Sequence, residues 1–134
     1  MTVEDIFYLM NKTLKFAAVD IGSNAVRLLL TKVIENSDHA LFKKESLVRI
    51  PIRLGEDAFV DQLISREKET QLIETMIGFS HLIQAYEPVD HMICATSAMR
   101  EAGNSAEIIA EVSRLSGLEI KSKEGAKGQR HKGA

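Results

Sequence analysis

The spacing of apolar positions changes several times along the chain, and each change marks an element. Val3, Ile6, Phe7 and Met10 recur at helical spacing, with Thr2 as a cap and Glu4 and Asp5 suited to the positive end of a first turn. A short docking helix or frayed extension is therefore expected over 1–13. From Leu14 the period becomes that of a strand, and Phe16-Ala17-Ala18-Val19 is a small, apolar run of the kind found in strands covered on both faces. Gly22-Ser23-Asn24 is turn chemistry, and Val26 to Val33 reads as a second strand closing a hairpin. Glu35-Asn36-Ser37-Asp38 supplies the next turn. His39 to Ile52 then reads as a longer, more polar third strand, with Pro51 suited to its end or an exposed edge.

The second half has helical periods. Ser65 is placed to cap a long helix whose stripe is Leu72, Ile73, Met76, Ile77 and Ile83, with Pro88 as the stop and Gly78 as a weak point. Val89 to Thr96 predicts a fourth strand. Asn104, with Glu107 three residues on, predicts the cap of another helix that buries Ile108, Ile109, Val112 and Leu115 and ends at Gly117. Leu118-Glu119-Ile120 begins a fifth strand. The order β-β-β-α-β-α-β implies an α/β fold: a three-strand meander and two crossover units, giving a mixed five-stranded sheet with flanking helices over 14–120. From Lys121 to Ala134 large apolar residues vanish and the chain turns basic, so 121–134 is expected to be a disordered tail.

Bulk composition narrows the function classes. With 134 residues the chain is one domain's worth, short for a fold whose site lies between two lobes. The near balance of 17 basic against 19 acidic residues argues against a general nucleic-acid binder. No apolar run is long enough for a membrane helix and no leader is evident, which makes the cytoplasm the expected compartment. Cys94 is alone, so it forms no intrachain disulfide and reads as a buried structural thiol. His39, His81, His91 and His131 show no metal-ligand spacing, while Met76, Met92 and Met99 read as core filling.

Three stretches carry candidate chemistry. Asp20-Ile21-Gly22-Ser23-Asn24 puts a carboxylate at the end of a strand and follows it with a turn; the carboxylate can hold Mg²⁺ or orient a water, and the turn's amides and side chains can donate to phosphate. Equally, Asp20 can cap the turn and Asn24 supply a left-handed residue. Ala95-Thr96-Ser97-Ala98-Met99-Arg100-Glu101-Ala102-Gly103-Asn104 leaves the fourth strand into a helical segment, where hydroxyls, a helix start and Arg100 suit an anion; simple capping with a solvated Arg100 is the alternative. Arg53-Leu54-Gly55-Glu56 reads as a loop after the third strand. If strands one and four are neighbours, the first two stretches emerge at one sheet edge, where ligands of open α/β sheets collect.

Together with Arg27, these motifs and their spacing resemble the N-terminal domain of the exopolyphosphatase and guanosine-pentaphosphate phosphohydrolase family, over about Lys15 to Ile120. The resemblance implies an actin-like ATPase, ribonuclease-H-like fold, here as a single lobe. It implies Mg²⁺ or another divalent cation as cofactor, and inorganic polyphosphate or guanosine pentaphosphate as substrate. Asp20 would help hold Mg²⁺ or the attacking water, Gly22, Ser23 and Asn24 would form a phosphate loop, and Ser97 and Arg100 would contact the phosphate chain. Arg27 and Arg53 would either reach the cleft or brace it. The implied reaction is release of terminal phosphate by Mg-assisted attack of water. The alternatives are a guanosine-pentaphosphate phosphohydrolase and a non-catalytic module that binds phosphate or guanosine tetraphosphate.

Family members continue past the fifth strand with a glycine, paired glutamates that include the general base, and a second lobe. Here Gly125 and Ala126 stand where the glutamates are expected, with Glu124 one residue early. The expectation is an isolated first lobe, cut short by design, by a frameshifted reading or by a disrupted gene. It would be inactive alone and would self-associate through the face its missing lobe leaves open.

Overall fold

The computed structural model describes residues 1–10, 12–35 and 39–122. Their elements run α1 (Val3–Met10), β1 (Lys12–Ile21), β2 (Val26–Glu35), β3 (Ala40–Ile50), α2 (Leu54–Val60), α3 (Arg66–Tyr86), β4 (Asp90–Ala95), α4 (Ser97–Glu101), α5 (Ser105–Ser116) and β5 (Lys121–Ser122). One sheet orders the strands β3-β2-β1-β4-β5. The first three are antiparallel, and β4 and β5 run parallel to β1. This is the mixed sheet that the β-β-β-α-β-α-β reading predicts, with α3 and α5 as its crossovers. The expected turn at 36–38 lies outside the described residues.

One face of the sheet is the core. Val19 of β1 is flanked by Leu28 of β2 and Ile93 of β4, and Ile21 by Val26 and Ala95, so alternate residues of the central strands share one face. All six are buried, and they join Leu72, Met76, Phe79 and Ile83 of α3 and Ile108 and Val112 of α5 in one cluster. Truncating a fully buried side chain such as Leu72 to Ala costs about 2–5 kcal/mol, so this face carries the lobe's stability.

The ends of α3 follow their sequence signals. Ser65 Oγ accepts from the Lys68 amide at 3.2 Å, and the helix runs unbroken past Gly78 to Tyr86, where left-handed Glu87 precedes Pro88. At α1, Thr2 Oγ1 accepts from the Asp5 amide while Asp5 Oδ2 accepts from the Thr2 amide, a reciprocal cap.

Several expectations are corrected. β5 is the pair Lys121–Ser122, three residues beyond the start predicted at Leu118, because the chain leaves α5 at Gly117 and must cross to the far side of β4 before pairing with Cys94 and Ala95. Asn104 does not cap α5 with its side chain, which reaches Ile64 instead. Leu115, placed on the buried stripe, is exposed. The run 16–19 is covered on one face among the described residues: Ala17 and Val19 are buried, whereas Ala18 is exposed. For the same reason Met92 is 53% exposed rather than core, and Cys94 is half-buried rather than buried, because both alternate with buried Ile93. Among the described residues no helix is long and apolar enough to cross a membrane.

Candidate functional site

Parallel pairing brings the ends of β1 and β4 level, with Ile21 beside Ala95. The next residue of β4's exit, Thr96, closes the gap: its amide and its Oγ1 each donate to the Ile21 carbonyl at 3.0 Å. The loop after β1 is pinned from other sides as well. Gly22 N–H donates to the Ala25 carbonyl at 3.0 Å, Gly55 N–H to the Ser23 carbonyl at 2.8 Å, and Arg53 N–H to the Asn24 carbonyl at 3.0 Å. The turn Gly22-Ser23-Asn24 is therefore fixed by backbone contacts from both neighbouring motifs.

Two glycines allow close approach in this arrangement. A Cβ on residue 22 would stand 3.1 Å from the Ala25 carbonyl oxygen and 3.9 Å from both Asp20 Oδ2 and Thr96 Oγ1, so Gly22 sits between a carboxylate and a hydroxyl at the sheet edge. A Cβ on residue 55 would meet Ser23 Cβ at 2.9 Å, which is why the 53–56 motif can lie directly against the turn.

Asp20 and Arg27 are cross-strand partners, and the Arg27 guanidinium donates to Asp20 Oδ2 at 2.7 Å. Arg27 thus braces the carboxylate at the strand end, and both groups remain open to solvent, with side chains 53% and 37% exposed. Arg53 sits at the N-terminal boundary of α2 with left-handed backbone (φ 61, ψ 50), a strained conformation for a residue with a side chain. Its guanidinium is exposed and reaches Glu56 Oε1 at 3.5 Å. Leu54-Gly55-Glu56 is the first turn of α2, not the loop expected from the sequence. Arg53 offers no side-chain cap and Phe59 and Val60 are exposed, so neither a cap nor an amphipathic stripe marks this helix in the sequence.

Behind α2 lies an ionic clamp that the sequence reading missed. Lys68 Nζ donates to the Arg53 carbonyl at 2.8 Å and contacts Asp57 Oδ1 at 2.8 Å and Glu56 Oε2 at 3.4 Å, while Asp57 Oδ2 accepts from the Ser65 amide at 2.7 Å. The Lys68 ammonium and the Ser65 amide hold the Asp57 carboxyl below its ordinary range. Burial works against the Lys68 charge, but its bonds to Asp57 and Glu56 win and raise its pKa. Lys68 therefore grips the strained carbonyl of Arg53 as a full cation. A lysine in the first turn of a long helix reads as solvated in sequence, and only the fold places it under 53–57.

The second hydroxyl-bearing stretch enters α4 at Ser97, directly after Thr96; the Ser97 side chain lies outside the described residues. Met99 and Ala102 are buried beneath α4, and Arg100 is exposed on its outer side. α4 has five residues, little more than one turn, so it adds far less dipole than the helix start anticipated from the sequence. Asn104 closes the far end: its side chain accepts from the Ile64 amide at 3.0 Å and donates to the Ile64 carbonyl at 2.9 Å. Of the predicted residues, Asp20, Gly22, Ser23, Asn24, Arg27 and Arg53 are brought together by hydrogen bonds and close contacts, and Ser97 follows Thr96 at the same edge. Arg100 lies on the adjoining helix.

Comparison with known proteins decides which family this edge belongs to. The profile of the Ppx/GppA phosphatase family matches residues 32–128. The chain belongs to that family. This Ppx/GppA chain is similar to the bifunctional 3-dehydroquinate synthase/phosphatase of Fusobacterium nucleatum, 31% identical over 99 residues that make up 72% of this chain and 15% of that protein. It is similar to exopolyphosphatase 1 of Mycobacterium leprae, 25% identical over 107 residues, 80% of this chain and 31% of that one. Among solved structures, the Aquifex aeolicus family member superposes with a TM-score of 0.74 at 22% identity, over 82% of this chain and 35% of its own. An exopolyphosphatase from Cytophaga hutchinsonii does so with 0.67 at 20% identity, over 81% and 33%. The fold is therefore the actin-like ATPase fold of Ppx/GppA proteins, as the resemblance implied. This Ppx/GppA chain spans about a third of the length of the mycobacterial relative and of these solved structures. The family match extends to residue 128 and so includes Glu124, Gly125 and Ala126, which lie outside the described residues.

Proposed function

We propose that this chain is the first lobe of an exopolyphosphatase-type phosphoanhydride hydrolase, and that it supplies half of a phosphate cleft. The observation that supports this reading most is the double docking of the turn 22–24, onto Thr96 through Ile21 and onto Arg53 and Gly55 through Asn24 and Ser23. Such a turn is preorganised, so its donors need little reorganisation when phosphate charge develops.

Each residue has a role in this reading. Gly22, Ser23 and Asn24 cradle a phosphoryl group, Ser97 and Arg100 approach the phosphate chain, and Asp20 orients the attacking water with Arg27 holding its carboxylate in place. Among the described residues no three acidic, histidine or cysteine side chains converge on a metal site. A Mg²⁺ at this edge would be held by the Asp20 carboxylate, an oxygen donor of the kind that ion takes when it also binds a phosphate substrate. Such an ion would supply charge neutralisation on the phosphate chain. Arg53 braces the loop through its backbone, with its guanidinium left exposed.

A terminal phosphoryl group enclosed by only one lobe stays exposed to water, and the second lobe supplies the opposing donors and the base. The 134-residue polypeptide alone is expected to release no phosphate from long-chain polyphosphate above a buffer control. In a two-lobe protein carrying this lobe, Asp20→Asn should abolish turnover and retain polyphosphate binding. Unchanged turnover would remove Asp20 from the mechanism. Faster hydrolysis of guanosine pentaphosphate than of polyphosphate would move the assignment to the pentaphosphate phosphohydrolases. Binding without turnover of either would make the lobe a sensing module.

A further inference from the structure

Lys68 stands where helix electrostatics disfavours it: in the first turn of α3, whose positive end repels a cation. Its side chain is nonetheless largely buried, 18% exposed against 67% for Arg53. The ammonium has three donors, and they meet the Arg53 carbonyl at 2.8 Å, Asp57 Oδ1 at 2.8 Å and Glu56 Oε2 at 3.4 Å. With all three engaged, Lys68 has none to offer a phosphate. What it does for the site it does through Arg53.

Arg53 in turn carries one flank of the turn 22–24. Its N–H donates to the Asn24 carbonyl at 3.0 Å, and two residues on the Gly55 N–H donates to the Ser23 carbonyl at 2.8 Å. Arg53 keeps a left-handed φ of 61°, which a residue with a side chain leaves unless its neighbours hold it. Its N–H and carbonyl keep their relative direction only at such dihedrals, so fixing both ends fixes the φ. Asn24 fixes one end and Lys68 the other. Lys68 is itself anchored: Asp57 is held by the Ser65 amide at 2.7 Å, and Leu72, one turn further along α3, is fully buried. Resting on the hydrolase reading for the chemistry of the turn, we propose that Lys68 is a positioning residue for phosphate, tying the turn 22–24 to the start of α3 by holding Arg53 in the left-handed conformation that reaches Asn24. The relay steadies the turn from the β3 side, as Thr96 does from the β4 side through Ile21.

Amide hydrogen exchange of the 134-residue chain, read residue by residue by NMR, tests the relay. In Lys68→Met, which keeps the stem and removes the donors, the Arg53 and Gly55 amides should exchange about tenfold faster relative to the Thr96 amide. Ile83→Val, a core change near the far end of the same helix, should leave that ratio unchanged. Lys68→Arg keeps the charge but displaces the donors, so the ratio should move the same way, and it serves where Lys68→Met does not fold. Titration with long-chain polyphosphate should shift amides 22–24 of the unsubstituted chain, with a dissociation constant about tenfold higher in Lys68→Met. Arg53 and Gly55 amides that quicken only in step with Thr96 overturn Lys68 as a positioning residue. So does an affinity that Lys68→Met leaves unchanged. Amides 22–24 that ignore polyphosphate in the unsubstituted chain overturn the role differently, by removing the phosphate reading beneath it while the exchange ratio still reports the relay.

Discussion

Gly55 rests on Ser23 so closely that a methyl group at position 55 would stand 2.9 Å from Ser23 Cβ and 3.3 Å from Phe59 Cε2. The exposed Phe59 ring can swing aside, but Ser23 is not free to retreat, since its carbonyl is held by the Gly55 amide. Gly55→Ala should therefore destabilise the lobe. Overpacking costs about 1–3 kcal/mol, against about 1 kcal/mol gained from helix propensity, and the turn 22–24 must shift. Gly78→Ala is the matched control, because nothing lies within 4 Å of a Cβ there. It should stabilise the lobe by about 1 kcal/mol. Urea unfolding of the two variants should give opposite signs, and amide shifts of Ser23 and Asn24 should move only in Gly55→Ala.

Asn104 ties the exit of α4 to the segment before α3, and its side chain satisfies both polar groups of Ile64. Asn104→Ala leaves a part-buried donor and acceptor unpaired, a loss of about 2 kcal/mol. Asn104→Asp can still accept from the amide but faces the Ile64 carbonyl with a second acceptor, so it should rescue less than half. Thermal melts of the two variants would check this ranking. Equal stability of Asn104→Ala and the unsubstituted chain would show that the clamp is slack.

Elements with long periodicity were legible in the sequence, and contacts between elements were not. Leu72, Met76 and Ile83 at helical spacing between Ser65 and Pro88 specify α3, and the small apolar run before Asp20 specifies β1. The position of the candidate residues was legible as motifs: Asp20 ends β1, and Gly22, Ser23 and Asn24 form the turn that the hairpin predicts. Their support was not. Lys68 acts on Arg53 from fifteen residues away, and Asn104 on Ile64 from forty, distances over which periodicity carries no signal. α2 escaped because a left-handed Arg53 opens it without a capping side chain. Met92 and Ala18 read as core because an apolar strand looks the same whether one face is covered or two.

Arg27 braces Asp20 across the hairpin at 2.7 Å in a solvent-exposed setting. Exposed ion pairs contribute less than about 1 kcal/mol, so Arg27→Ala should leave the melting temperature of the lobe within a few degrees. Its effect belongs in the two-lobe protein, where a carboxylate free to swing should lower kcat more than it raises KM. A change confined to KM would instead place the Arg27 guanidinium on the phosphate chain.

The pH dependence of stability should centre on Asp57. Its carboxyl titrates below the ordinary range because Lys68 and the Ser65 amide favour the charged form. A carboxyl depressed in the folded state takes up its proton more readily when unfolded, so its contribution is fully present above the unfolded value of about 4 and is lost as pH falls through the folded one. Stability of the unsubstituted lobe should therefore decline in acid below about pH 4. Asp57→Asn should be less stable near neutrality, because Lys68 is then gripped by Glu56 and the Arg53 carbonyl alone, and its profile should be flatter through the acid limb. Melting curves collected from neutral pH into acid for both proteins decide the matter: parallel profiles would mean that another carboxylate, with Glu45 beside Tyr86 as the next choice, carries the acid dependence.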